Sequence, residues 1–409
     1  MCAASPLPYL PQLSPSDLPC ETGEVLPLAP SVVHLYFNER VDVVGRGIRV
    51  VGPSGRRVEG PAQLSGTTVS VQVAASEPGT YVVIWRVVAT DTHPAQGTFT
   101  FSVGRPGRPP AGATVPSGRG GSQLGLALQM LARALHLLGY ALSIGVFAFR
   151  QMVLVPLGLS ASAHVERPVW RLIGAGVIAL LLAEPFALMA QTVSLSGGAA
   201  AWFDLELVGG VLDSSFGRVL AQRFGAAVLL WGLVGAVRNA HVREIRTAWI
   251  VLLLGATVAL VDGEAAHAVG TRPVWFGLVI NTLHEAAMGL WVGVLLGLLG
   301  VWRLPEVTAR HRELTTRVAK IAAVSLTVLI TTGTVMALQH LTGLRDLIAT
   351  GYGRTLTVKL GVLVAILLLA IAAVRAPLDR RPRWWAPEVA GLIIVITLAG
   401  LLVSVAPPQ

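Results

Sequence analysis

FTFSVGRPGRPPAGATVPSGRGGSQLGLALQMLARALHLLGYALSIGVFAF, Phe99 to Phe149, carries the chain from one solvent into another. Phe99, Phe101 and Val103 alternate with Thr100 and Ser102, the period of a strand with one face in a core. Gly104 to Gln123 is a polar linker rich in glycine and proline. From Leu124 the chain is apolar for long enough to cross the ~30 Å hydrocarbon layer of a bilayer. The stretch therefore predicts a water-soluble β domain before it and a membrane domain after it.

Toward the N-terminus the same period returns. Val33, Leu35 and Phe37 alternate with His34, Tyr36 and Asn38, and Val69, Val71 and Val73 alternate with small polar residues. Tyr81 to Val88 is a β-branched and aromatic run, and the turn signals GPSGR and SEPGT punctuate the segment. This pattern predicts a small antiparallel sandwich over residues 1–104, followed by a linker over 105–123 and a membrane domain over 124–409.

Toward the C-terminus the apolar runs predict an all-α bundle of about eight transmembrane helices. They lie near 124–149, 168–191, 217–236, 247–262, 275–301, 319–340, 355–374 and 387–406. The odd-numbered runs are followed by basic segments: Arg150 and Arg167; Arg238, Arg243 and Arg246; Arg303, Arg310, Arg312 and Arg317; Arg375, Arg380, Arg381 and Arg383. The alternate loops hold Asp204, Glu206, Asp213 and Glu264. The excess of arginine marks the cytoplasmic side, which puts the β domain and both termini outside.

Composition agrees with this division. The chain has 409 residues, 53% of them hydrophobic and only 13% charged, where soluble domains carry about a quarter charged. Its mean hydropathy is +0.67. The formal net charge of +9 sits in short arginine segments between apolar runs, which orient a membrane protein and bind lipid headgroups rather than nucleic acid. Cys2 and Cys20 form no CxxC, so a disulfide and two idle thiols are both open. The opening MCAASPLPYLPQLSPSDLPC contains no apolar signal core. Export is expected to depend on a segment outside this sequence or on the first span, with Cys2 as a lipid-bearing residue a further alternative.

The β domain offers one place for chemistry, TDTHPAQG, where Asp91 and His93 stand two apart after a strand. A carboxylate and an imidazole on one side suit a borderline cation such as Cu²⁺; a solvated turn is the competing reading. In the membrane domain the ionisable residues are informative because hydrocarbon makes each one expensive. His136, Glu184, Asp262, Glu264, His267, His284, His340 and Lys359 crowd toward the outer leaflet. Asn281, His284, Met288 and Trp291 fall at offsets of three, four and three, one stripe of a helix. Imidazole and thioether suit Cu⁺; for His284 packing is an equal alternative, and for Met288 and Trp291 packing is the favoured reading. Arg133, His136 and Tyr140 make a similar stripe. Two intramembrane histidines could also be axial ligands of a b-type haem. Walker A, HExxH and GxSxG motifs are absent, so neither ATP drive nor an independent enzyme is expected.

With these residues in place, the chain resembles a CopC–CopD fusion of the bacterial copper-resistance and copper-uptake family. The CopC-like part rests on LAPSVVHLYFNERV (Leu28–Val41) and PGTYVVIWRVVATDTHPAQGTFTFSV (Pro78–Val103). The CopD-like part rests on LHLLGYALSIG around His136, HAVG at His267, LHEAAMGLWVGVLLGLL around His284, GYGRTLTVKLGVL (Gly351–Leu363), and the closing run from Glu388 to Pro408.

The resemblance implies a cupredoxin-like, Ig-like sandwich that binds Cu²⁺ through Asp91 and His93, and a multi-pass domain in the bacterial cytoplasmic membrane linked to copper import. Relatives add an N-terminal histidine, but here the segment reads PLPYLPQLSPSD. His34 is the candidate replacement. The expected path runs from the outer domain to His267, His284 and His136, with Glu184 balancing the cation's charge and Asn281, Met288 and Trp291 in support. A copper chaperone or copper-enzyme assembly partner is the implied protein contact. A haem b electron carrier and a non-transporting sensor or assembly factor are the rival readings.

Overall fold

Val33 and Leu35 lie on one strand and Val69, Val71 and Val73 on its neighbour, and all five are buried because alternate side chains share a face. They meet Ile48, Val50, Tyr81, Val83, Trp85, Val87, Phe99, Phe101 and Val103 in one core. The computed structural model describes residues 2–4, 24–37, 39–90, 92–110, 123–196, 198–239, 245–264, 273–340, 343, 345–375, 391 and 394.

The strands are β1 (Cys2–Ala4), β2 (Glu24–Leu26), β3 (Val32–Tyr36), β4 (Val41–Val51), β5 (Glu59–Ser65), β6 (Thr68–Val73), β7 (Gly79–Ala89) and β8 (Pro94–Val103). They form two four-stranded sheets, ordered β1-β3-β6-β5 and β2-β8-β7-β4. β1 runs parallel to β3 and β2 parallel to β8, while the other pairs are antiparallel. The expected sandwich is present. Tyr81 anchors it, stacked on Phe101 with ring centroids 5.1 Å apart. Its hydroxyl donates to the Glu77 carbonyl at 2.7 Å and accepts from the Glu77 N–H at 3.0 Å.

The chain divides into two compact units, Met1–Leu126 with Leu188–Arg218, and Ala127–Ala187 with Val219–Gln409. The first unit explains why Tyr81–Val88 is apolar or aromatic at every position but Arg86. Val44 and Val88 lie outside the sandwich core, in a second cluster with Leu195, Ala201, Leu207 and Val211. A strand covered on both faces loses the polar half of its alternation. The cover comes from the end of one long helix, a 3₁₀ turn (Ala199–Phe203) and a short helix. That short helix approaches β4 closely, since a Cβ on Gly210 would collide with Gly45, itself in the left-handed region at φ +56°.

The helices are α1 (Gln123–Tyr140), α2 (Val146–Phe149), α3 (Ala163–Ser196), α4 (Leu205–Leu212, the short helix on β4), α5 (Ser215–Asn239), α6 (Ile245–Glu264), α7 (Val274–Val301), α8 (Pro305–Thr308), α9 (His311–His340), α10 (Asp346–Ala349) and α11 (Gly351–Arg375). π-helical turns at Ala141–Gly145 and Arg150–Leu154 join α1 and α2 into one helix of 32 residues. Among the described residues, five helices are long and apolar enough to cross a membrane: Gln123–Leu154, Ala163–Ser196, Ser215–Arg238, Val274–Val301 and His311–Gln339. A shorter apolar helix covers Trp249–Gly263. Of the span expected near 387–406, only Gly391 and Ile394 are described.

The second unit is held by backbone contact as well as by its apolar core. A Cβ on Gly145 would collide with the Gly289 carbonyl, and one on Gly293 with Gly145 itself. Membrane helices gain no hydrophobic drive from each other, so small residues that let backbones touch are what bring α1 and α7 together. The π turn lies at this contact and directly follows the turns that bear Arg133, His136 and Tyr140.

Candidate metal centre

Five helices of the second unit each place one ionisable side chain at a common point. His136 comes from α1, Glu184 from α3, Arg223 from α5, Asp262 from α6 and Glu285 from α7. Relative exposures are 1% for His136, 1% for Glu184, 0% for Asp262 and 5% for Glu285. The Tyr140 hydroxyl donates to the Gly255 carbonyl at 3.1 Å, tying α1 to α6 one turn from His136. Pro185 follows Glu184 and has no N–H to give the Leu181 carbonyl, so the α3 ladder is broken at the site.

The imidazole of His136 faces a carboxylate at each ring nitrogen. His136 Nδ1 donates to Glu184 Oε1 at 3.1 Å, because a carboxylate can only accept. A neutral imidazole that donates there turns its Nε2 lone pair to Asp262 Oδ2, also at 3.1 Å, whereas an imidazolium donates to both carboxylates. Two lone pairs aimed at each other in a dry interior repel unless a positive charge lies between them. Two ligand atoms each about 2 Å from one ion stand about 3 Å apart, so this separation fits an edge of a coordination polyhedron as well as an imidazolium–carboxylate contact. One donor atom from each of His136, Asp262 and Glu285 lies within 4.8 Å of the other two. Glu285 Oε1 is buried without a hydrogen bond. A carboxylate behind a histidine, with the other ring nitrogen turned inward, is how proteins orient a metal-binding imidazole. One imidazole and two carboxylates fit a borderline or hard divalent ion such as Cu²⁺ better than soft Cu⁺.

Two guanidiniums complete the cluster. Arg223 Nε lies 2.8 Å from Asp262 Oδ1 and 3.3 Å from Glu184 Oε1. Arg133 Nη1 lies 3.5 Å from Asp262 Oδ2.

His136 and Glu184 thus belong to the cluster, as their charge inside apolar runs suggested. The expected stripe on α7 does not converge. Residues 284 and 285 point about 100° apart around the helix, and it is Glu285 that joins the cluster. His284 faces α9 instead. Its Nδ1 donates to Thr332 Oγ1 at 2.8 Å, since that hydroxyl spends its own proton on the Val328 carbonyl at 2.6 Å. Asn281 is buried near Gly263, beside Asp262 in sequence. Met288 and Trp291 pack with Leu137, Ala141, Leu329 and Ile366 in an apolar cluster. Glu285 and Arg223 carried a signal that sequence reasoning missed, a charge within an apolar helix.

In the first unit, His93 lies just before β8, and its carbonyl accepts from the Ala89 N–H at 2.9 Å. Its neighbour Thr92 is the one non-glycine residue with positive φ among the described residues, at +71°. The Thr92 carbonyl accepts from Gln191 Nε2 at 2.8 Å. His34 points away from the sandwich core and bonds Ser70 Oγ at 2.8 Å within the β1-β3-β6-β5 sheet, whereas His93 precedes β8 of the other sheet. Asp91 and His267 lie outside the described residues.

Three family models match the chain. A CopC domain covers residues 19–104, a copper resistance protein D-like N-terminal domain covers 124–271, and copper resistance protein D covers 312–406. The copper transport protein CutJ of Bacillus subtilis is 24% identical over 96% of this chain and 73% of its own length. Copper resistance protein C of Pseudomonas syringae pv. tomato is 33% identical over 22% of this chain and 76% of its own length. The crystal structure of CopC from Methylosinus trichosporium OB3b aligns over 22% of this chain and 88% of its own, at 23% identity and a TM-score of 0.20.

Proposed function

The chain belongs to the copper-resistance family, as a CopC domain fused to a CopD membrane domain, and from that premise we propose that it carries copper inward across the bacterial cytoplasmic membrane. The observation that carries the reading is the buried group of His136, Asp262 and Glu285, with Glu184 orienting the imidazole. A transporter must hold its cargo in low dielectric, and an intramembrane set of oxygen and nitrogen donors meets that need.

In this proposal residues 1–104 face outward and dock copper at the loop holding Asp91 and His93. His267 and His284 act as further stations, His284 through its remaining Nε2 lone pair. Both termini lie outside, by the arginine distribution. The cargo at the cluster is Cu²⁺, by the hardness of its donors. Haem is the weaker reading, because an axial histidine needs one nitrogen clear for iron, and both nitrogens of His136 face carboxylates.

Copper accumulation in cells expressing equal amounts of wild-type and variant protein tests this. Wild-type expression raises cell copper, and His136→Gln or Glu285→Gln abolishes the rise. A fall in cell copper on wild-type expression would mean export. Equal accumulation by wild type and both variants would remove the cluster from the path.

A further inference from the structure

We propose that Arg223 is a tethered cation that holds the place of the metal in the buried cluster and must withdraw when a dication binds. The inference rests on the reading of the cluster as a metal site, and it adds how that site releases its cargo.

Arg223 occupies the oxygens a metal would need. Its Nε sits 2.8 Å from Asp262 Oδ1 and 3.3 Å from Glu184 Oε1, spanning the carboxylate that would bind metal and the one that orients His136. Arg133 is farther, at 3.5 Å, and approaches the oxygen that already faces His136. Despite the short approach, Arg223 Nε makes no aligned hydrogen bond.

Charge balance gives the reason for exchange. When all are ionised, the buried carboxylates of Glu184, Asp262 and Glu285 set three negative charges against the two positive charges of Arg133 and Arg223. A dication brings two positive charges. With both arginines in place the interior would then hold an uncompensated positive charge, which a low-dielectric medium penalises heavily. If Arg223 withdraws, the bound cluster is neutral. A resident cation also keeps the carboxylates from repelling one another between cargoes, and its return competes with the ion. Conduction through a membrane needs a site that binds well enough to load and weakly enough to empty.

Cu²⁺ titration of the full-length protein in lipid nanodiscs, followed by copper electron paramagnetic resonance and by chelator-driven release, tests both layers. One Cu²⁺ signal that is lost in His136→Gln, apart from any copper held at the outer domain, is expected if the cluster is a metal site. No such ion, or equal binding by His136→Gln, would overturn that reading and this inference with it. Given that ion, Arg223→Gln is expected to bind at least tenfold more tightly and to release copper correspondingly more slowly. Arg223→Met removes the same charge and fills the volume of the arginine stem, so it supplies the same comparison where Arg223→Gln does not fold. Unchanged or weaker affinity in whichever of these folds overturns the tethered cation and leaves the metal site standing.

Discussion

His136 Nε2 and Asp262 Oδ2 face each other at 3.1 Å, one on α1 and one on α6, with both side chains sealed from solvent. Asp262 is at once the partner of His136, Arg223 and Arg133. Asp262→Asn therefore leaves buried positive charge without its counter-ion and is expected to cost about 3–5 kcal/mol of stability in metal-free protein. Thermal unfolding in detergent measures it. A loss below about 1 kcal/mol would mean the cluster is hydrated and its charges are not held as described.

The backbone contact between α1 and α7 should be as sensitive as the charges. Gly145→Ala puts a methyl group onto the Gly289 carbonyl, and backbone cannot rotate aside as a side chain can. Overpacking of this kind costs about 1–3 kcal/mol, and it should weaken copper binding too, since α1 bears His136 and α7 bears Glu285. Gly174→Ala meets open space and should change stability by less than about 0.5 kcal/mol. Equal melting temperatures for the two variants would refute the close approach.

Tyr81→Phe keeps the stacked ring and removes one hydroxyl that serves both backbone groups of Glu77. The β domain is expected to lose about 1 kcal/mol, read as an earlier midpoint in urea by near-ultraviolet circular dichroism. An unshifted midpoint would show that water replaces the hydroxyl without penalty.

Glu306, at the start of α8 between two spans, gives a pH prediction. Its carboxylate accepts from its own backbone N–H and from the Ser162 hydroxyl at 3.0 Å, which holds its pKa below the ordinary 4.5. A depressed carboxylate stabilises the fold above its ordinary pKa, and that contribution fades as pH falls through the lower folded value. Stability should therefore decline on the acid side of pH 4.5, and Glu306→Gln should flatten that decline. A variant with the same acid profile as wild type would exclude the carboxylate as its source.

Much of the architecture was legible because its signals are local. Alternation at Val33–Phe37 and Val69–Val73 marks strands wherever they sit in space, and an apolar run such as Leu124–Phe149 must find hydrocarbon. The β-branched and aromatic run Tyr81–Val88 marked a strand, but not its burial on both faces. The cover supplied by Leu195, Ala201, Leu207 and Val211 is brought there from a loop far along the chain.

The site divides in the same way. Sequence alone marked His136 and Glu184, because a charge or an imidazole in an apolar helix is costly and therefore informative. It also put Asn281, His284, Met288 and Trp291 on one stripe of α7, since helical period fixes which residues share a face of their own helix. Period says nothing about which neighbour that face meets. Only the tertiary structure turned His284 toward Thr332 and Glu285 toward Asp262. Only the tertiary structure brought Arg223 onto the same carboxylates. The rotation of one helix against another is set by contacts such as Gly145 on Gly289 and Gly293, where missing side chains let two backbones meet.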